Sequence, residues 1–262
     1  MTGTTALLGV LALAACGHPW AVRRVRAAGG RWRTGRVVAW WVATLLAGIA
    51  LAPPVQSWAH GDARGHMTVH LLLGMYAGIG FALAAPAALA LASAPPGARR
   101  RGVGLVRSRP ARALAHPITA AILDIGGLWL LYATPLLAEA QSNGLVRTVV
   151  HAHLLLAGAL FAWAIVGPEL GRRQVGLRIL VLVAAGAAHA VLAKRLALDL
   201  AWAGELGGHG GLTHSRHVEA AAQLMYYGGD IAELVLAFLL VRLLWRVPWR
   251  RGAASAPSPA PA

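Results

Sequence analysis

Long apolar blocks separated by short arginine-rich stretches set the pattern of this chain. Seven blocks can be read, at about 4–22, 37–58, 66–92, 117–137, 149–166, 177–196 and 220–245. A helix needs roughly 20 residues to cross the hydrocarbon core of a bilayer, and each block reaches or approaches that length. The blocks are rich in Ala, Leu and Gly. They lack the alternation of about ten residues that marks barrel strands, so they predict helices. The expected fold is an all-α, polytopic membrane protein with seven transmembrane helices. Residues 1–251 would form a single bundle, and residues 252–262 read as a disordered Ala/Pro/Ser tail.

Composition supports this class: 58% of the 262 residues are hydrophobic, too many for an ordinary soluble domain. The net charge of +15 adds an orientation. Arg23, Arg24, Arg26, Arg31, Arg33 and Arg36 separate blocks one and two. Arg99, Arg100, Arg101, Arg107, Arg109 and Arg112 separate three and four, and Arg172, Arg173 and Arg178 separate five and six. Arg242, Arg246, Arg250 and Arg251 follow block seven. The remaining segments hold only Arg64, Arg147, Lys194, Arg195 and Arg216. By the positive-inside rule the N-terminus is expected outside and the C-terminus in the cytoplasm. Arginines in short inter-helix loops argue against a nucleic-acid surface. The one cysteine allows no internal disulfide. Leu13-Ala14-Ala15-Cys16 matches a lipoprotein cleavage box, but no basic residue precedes it, so Cys16 reads as a thiol packed in the first helix.

With that orientation, nine of the eleven histidines fall toward the outer side: His60, His66, His70, His151, His153, His189, His209, His214 and His217. Imidazole is costly in hydrocarbon, and one-sided clustering at helix ends points to a metal or cofactor site. His66 and His70 are four apart and share a helix face, with Met67 leaning toward the same region. Imidazole with thioether suits copper, particularly Cu(I). His151 and His153 point about 200° apart on a regular helix, so one faces inward, and spacing does not say which. His189 sits among small residues inside the sixth block and needs a partner. Gln223, Tyr226, Asp230 and Glu233 recur at three- and four-residue steps in block seven. That stripe would face inward and orient ligands from behind or neutralise a cation. His209, His214 and His217 lie in an expected glycine-rich outer loop, 197–219. His18 and His116 read as structural, and Asp124 as a buried acid facing another helix. No Gly-rich phosphate loop, Gly-x-Ser-x-Gly or His-Glu-x-x-His occurs, which lowers the expectation of an enzyme.

From about His66 to Arg246 the chain resembles the multi-span CtaG-type assembly proteins of caa3-type cytochrome c oxidases. The resemblance rests on His66-Met67-x-x-His70-Leu-Leu-Leu, His116-Pro117 and Trp129-Leu-Leu-Tyr132-Ala-Thr-Pro135. It continues through His151-x-His153-Leu-Leu-Leu, Leu160-Phe161-x-Trp163, Gly167-Pro168-Glu169, His189 and the Gln223-to-Glu233 segment. No single motif is specific, but their order and spacing are. After the first motif, family members often carry Ala-Pro-Pro; here Gly74-Met75-Tyr76-Ala77-Gly78 follows, with proline delayed to Pro86.

The resemblance implies support of copper-centre formation in an oxidase, in a bacterial cytoplasmic membrane. The expected protein is then a metal-handling assembly factor that turns over no substrate. Its partners would be the lipid bilayer and the copper-bearing oxidase subunits. His66, His70, His153 and His189 form the expected copper site, with His151 and Met67 in reserve and Asp230, Glu233, Gln223 and Tyr226 behind them. Two other readings remain: haem held by two histidines from different helices, and a proton or metal transporter using Asp230 and Glu233.

Overall fold

A computed structural model describes residues 2–167, 174–198 and 212–246. Among the described residues the regular structure is helical, with no strand. The chain runs through α1 (Thr2–Ala27), α2 (Thr34–Leu51), α3 (Pro53–Gly61) and α4 (Ala63–His70). A π-helical segment, Leu71–Ala77, leads into α5 (Gly78–Ala84) and α6 (Pro86–Ser93). Next come α7 (Pro96–Val106), α8 (Arg109–Leu114), α9 (Pro117–Ala133) and α10 (Leu136–Ser142). The last three are α11 (Gly144–Val166), α12 (Val175–Leu198) and α13 (Leu212–Arg246).

Among the described residues, six stretches are long and apolar enough to cross a membrane; a seventh is reached if α9 and α10, bent by 79°, count as one. Large apolar side chains face outward along these stretches. Leu45, Ile122, Leu156, Val183, Leu234 and Phe238 are each at least 63% exposed. Such an outer surface is stable against lipid and unfavourable against water. Inside, alanines on different helices, including Ala43, Ala47, Ala77, Ala164, Ala221 and Ala232, are fully buried and let the helices approach closely.

Prolines and caps place the breaks. Pro53 starts α3, so the block expected over 37–58 is two helices rather than one. Asp62 starts α4, its carboxylate accepting from the Arg64 backbone N–H at 2.8 Å. The third span then runs from Ala63 to Ser93, interrupted where Ala85 turns left-handed (φ 53°) before Pro86. Thr134 and Pro135 break the fourth block, and Asn143 caps α11 with bonds to Leu145 and Val146 N–H.

Three further expectations change. Helix α13 begins at Leu212, so His214 and His217 lie on a helix and not in a loop; His209 lies outside the described residues. Arg178 is no loop charge: it is 1% exposed on α12 and donates from Nη1 to the Ile165 carbonyl at 3.3 Å. Cys16 is exposed on α1 and does not pack inward. The 252–262 tail lies outside the described residues.

One crossing fixes the bundle around its π-helical segment. Gly158 of α11 packs directly on the Gly74 carbonyl, and Gly78 packs on the Gly158–Ala159 backbone. A Cβ at Gly158 would overlap that carbonyl. Gly158→Val should therefore lower the thermal midpoint in detergent, by a loss of about 1–3 kcal/mol or more. Gly126→Ala should be neutral or mildly stabilising, because its new methyl would meet only Ile122, at 3.7 Å. Equal midpoints for the two variants would refute the crossing.

Candidate functional site

The glycine crossing has a consequence one to two helical turns away. His70 closes α4 a single turn before Gly74, and His151 sits two turns before Gly158 on α11. Backbone contact at the glycines therefore brings both imidazoles to the same level. They line one small cavity of about 30 Å³ together with His60 and His66. Gln56, Gln141 and Arg147 supply the rest of its polar wall. A water needs roughly 10–15 Å³ of such space, so the cavity suits a water or a bare ion and is far too small for a porphyrin.

His189 reaches this region from α12. Its ring centroid lies 6.0 Å from that of His70, with the planes at 39°. Glycines make this possible. A Cβ at Gly229 of α13 would overlap the His189 ring, and one at Gly186 would overlap the Glu233 carboxylate. Glu233 Oε1 stands 3.6 Å from His189 Nδ1, an ion-pair contact longer than a hydrogen bond. Asp230 acts electrostatically on both groups, and Glu233 in turn on Asp124, buried on α9.

The remaining nitrogens are unusual. His70 Nδ1 and Nε2, His151 Nδ1 and His189 Nε2 are buried and have no hydrogen-bond partner. Buried polar atoms are nearly always paired, and an unpaired one costs roughly 1–3 kcal/mol. Two imidazoles each about 2 Å from a shared ion through nitrogen have centroids about 6 Å apart, which matches His70 and His189. Among the described residues, however, no three His, Cys, Asp or Glu side chains group as a metal-ligand set.

The other expected site residues divide. His66 Nε2 lies 2.9 Å from the Tyr132 hydroxyl, which also stands 3.6 Å from Met67 Sδ. That hydroxyl ties His66 and the fully buried Met67 together at the cavity's side. His153 turns the other way and donates from Nε2 to the Leu123 carbonyl at 2.9 Å, against Gly127. Of the α11 pair, His151 faces the cavity. Gln223 is exposed and bonds to Glu219 Oε1 along its own helix, while Tyr226 carries Lys194 over its ring. The expected polar stripe thus reduces to Asp230 and Glu233.

Sequence reasoning did not single out Gln56, Tyr132, Gln141 or Arg147. Arg147 Nη1 donates to His60 Nε2 at 2.6 Å and reaches the Ala140 and Gln141 carbonyls at the end of α10. His60 Nδ1 in turn meets the Gln56 carbonyl at 2.6 Å. An arginine only donates, so His60 is the neutral Nδ1–H tautomer with both nitrogens occupied. His18, at the other end, is buried and stacked on Trp40 with centroids 4.7 Å apart.

The family model of the cytochrome c oxidase caa3 assembly factor (Caa3_CtaG) matches residues 17–247. The chain belongs to this family. Uncharacterised proteins of Mycobacterium bovis and Mycobacterium tuberculosis are each 30% identical to it over 168 residues, 62% of this chain and 25% of theirs. One from Mycobacterium leprae is 31% identical over 159 residues, 58% of this chain and 24% of its own. The chain thus spans about a quarter of the length of the curated relatives it matches. No solved structure matches it significantly.

At the rim of the histidine end, Asp62 joins two segments. It pairs with Arg64 at 2.6 Å and with His217 of α13 at 3.5 Å. The hydrogen bonds from Arg64 hold the Asp62 carboxyl below its ordinary range, more than burial raises it. A depressed carboxyl stabilises the fold above its unfolded-state value, and that contribution fades as pH falls through the folded-state value. Asp62→Ala should therefore cost about 1 kcal/mol near neutral pH, a typical cap loss. The gap in thermal midpoint from wild type should close as pH drops below about 4. A gap that persists or widens in acid would remove the carboxylate's role.

Proposed function

We propose that the protein captures Cu(I) at the extracytoplasmic face of a bacterial cytoplasmic membrane and passes it toward copper-centre formation in a caa3-type oxidase. The observation that carries this reading is the facing pair His70 and His189, whose buried ring nitrogens lack partners. Cu(I) accepts two or three soft ligands, and His66 and His151 line the same cavity as His70. Glu233 orients His189 from behind, as carboxylates behind metal-bound imidazoles commonly do. The copper-bearing oxidase subunits are the proposed partners, and catalysis is not required. The cavity's size favours an ion over haem. The transporter reading would use Asp124, buried on α9 and in electrostatic contact with Glu233, but few polar side chains are buried among the described residues.

The proposed orientation follows from arginine placement: N-terminus outside, C-terminus cytoplasmic, histidine end outward. Reporter fusions after Arg36, Arg112 and Arg251 should read cytoplasmic, and fusions within 52–62 should read external. An external C-terminus would place the histidines on the wrong side for the proposed role.

Copper binding can be measured directly. Protein purified without a histidine tag should compete with a chromophoric chelator for one Cu(I). His70→Ala and His189→Ala should each weaken that binding by about tenfold to a hundredfold, since each removes one ligand of a small set. His153→Gln keeps a donor for the Leu123 carbonyl and should bind as wild type does. The same affinity in all four proteins would dispose of the His70–His189 site. A visible Soret band in the purified protein would favour haem instead.

A further inference from the structure

The cavity's mouth carries a fixed positive charge. Arg147 lines it beside His60, His66, His70 and His151, and among the described residues no carboxylate lines it. Arg147 is held in place from three directions: its own helix α11, His60 of α3, and the two carbonyls at the end of α10. The His60 contact cannot neutralise it, because His60 is an uncharged acceptor there. A cation approaching His70 therefore meets imidazoles, which attract it by coordination, and a guanidinium, which repels it in proportion to its charge.

We propose that Arg147 makes the histidine cavity select a singly charged soft ion over doubly charged ones such as Zn(II). This rests on the Cu(I) reading above. The repulsion acts twice as strongly on a dication, and the half-buried mouth lets water screen it only in part. The soft ligands prefer Cu(I) by chemistry, and Arg147 adds a second discrimination by charge. Glu233 lies beyond His189 and is common to every variant compared, so a change in the ratio of affinities isolates the charge at the mouth.

Dissociation constants for Cu(I), under anaerobic conditions, and for Zn(II) should be measured by chelator competition on the full chain in detergent. Wild type, Arg147→Lys, Arg147→Gln and Gln141→Glu form the set. Arg147→Gln removes the charge. Gln141→Glu leaves the arginine in place and sets an opposite charge on the same wall, so it carries the test if Arg147→Gln fails to insert. Both should shift the preference toward Zn(II) by about tenfold, the effect of one extra unit charge across roughly 10 Å of partly polar medium. Arg147→Lys, which keeps the charge without the guanidinium fork, should hold the wild-type ratio. An unchanged ratio in Gln141→Glu overturns the proposal. So does a shift in Arg147→Lys as large as in Arg147→Gln, which would assign the effect to shape. Wild type that binds Zn(II) but no Cu(I) overturns the copper reading itself.

Discussion

The close approach of backbone to backbone at Gly74, Gly78 and Gly158 is the contact on which the rest of the histidine end depends. In lipid no hydrophobic force drives helices together, so association relies on surfaces that fit. Here the fit is made by missing side chains. The π-helical segment Leu71–Ala77 lies at this crossing, directly after His70. Such segments alter the register between the residues above and below them and recur at functional sites. Gly229 and Gly186 repeat the device between α12 and α13, one receiving the His189 ring and the other the Glu233 carboxylate. Four helices thus deliver His66, His70, His151, His189 and Glu233 without any of them needing a long reach.

Much of this was legible in the sequence. Six spans, or seven if the bent α9–α10 pair counts as one, follow from block length among the described residues, while the orientation proposed above rests on the arginine pattern alone. His70 and His189 could be named because an imidazole inside an apolar block needs a reason. Family order in the motifs agreed with the later match over residues 17–247. What the sequence hid was direction. His151 and His153 are indistinguishable by spacing, and the Leu123 carbonyl that captures His153 belongs to α9, thirty residues away. Gln223 fits the stripe of Asp230 and Glu233 by periodicity, yet a bond to Glu219 keeps it on the exposed face. Arg178 was read as loop charge although it shares a helix face with Leu182, Ala185, His189, Leu192 and Leu196, all buried. That face was the available signal, and the arginine pattern drew attention away from it.

The bent α9–α10 pair shows how a break in hydrophobic pattern shapes the candidate site. Thr134 and Pro135 end α9, and the chain returns as a short helix bent by 79°. A straight span would have carried Ala140 and Gln141 away from the bundle. The bend instead sets their carbonyls beside Arg147, where the end of a helix presents unpaired acceptors. Tyr132, in the last turn of α9, bridges His66 and Met67. The motif Trp129-Leu-Leu-Tyr132-Ala-Thr-Pro135 therefore encodes both a wall of the cavity and the bracket for its arginine.

The unpaired nitrogens bear on what kind of site this is. At roughly 1–3 kcal/mol each, the four unsatisfied nitrogens of His70, His151 and His189 are a large sum to leave uncompensated in a bundle of marginal stability. The same helices satisfy His60, His66 and His153 fully or in part, so donors and acceptors are within the fold's reach. Among the described histidines the deficit falls on His18 and on the three that face the cavity or one another; Trp32, Trp40, Thr44 and Arg178 also hold buried atoms without a partner. His18 is stabilised by stacking on Trp40, a contact the other three lack. On the Cu(I) reading, the deficit becomes a gain when the ion binds. A site of two imidazoles is also easier to leave than a closed set of four ligands. On the same reading, a sparse ligand set beside a fixed positive charge would hold an ion without trapping it, which suits a protein that must release what it captures.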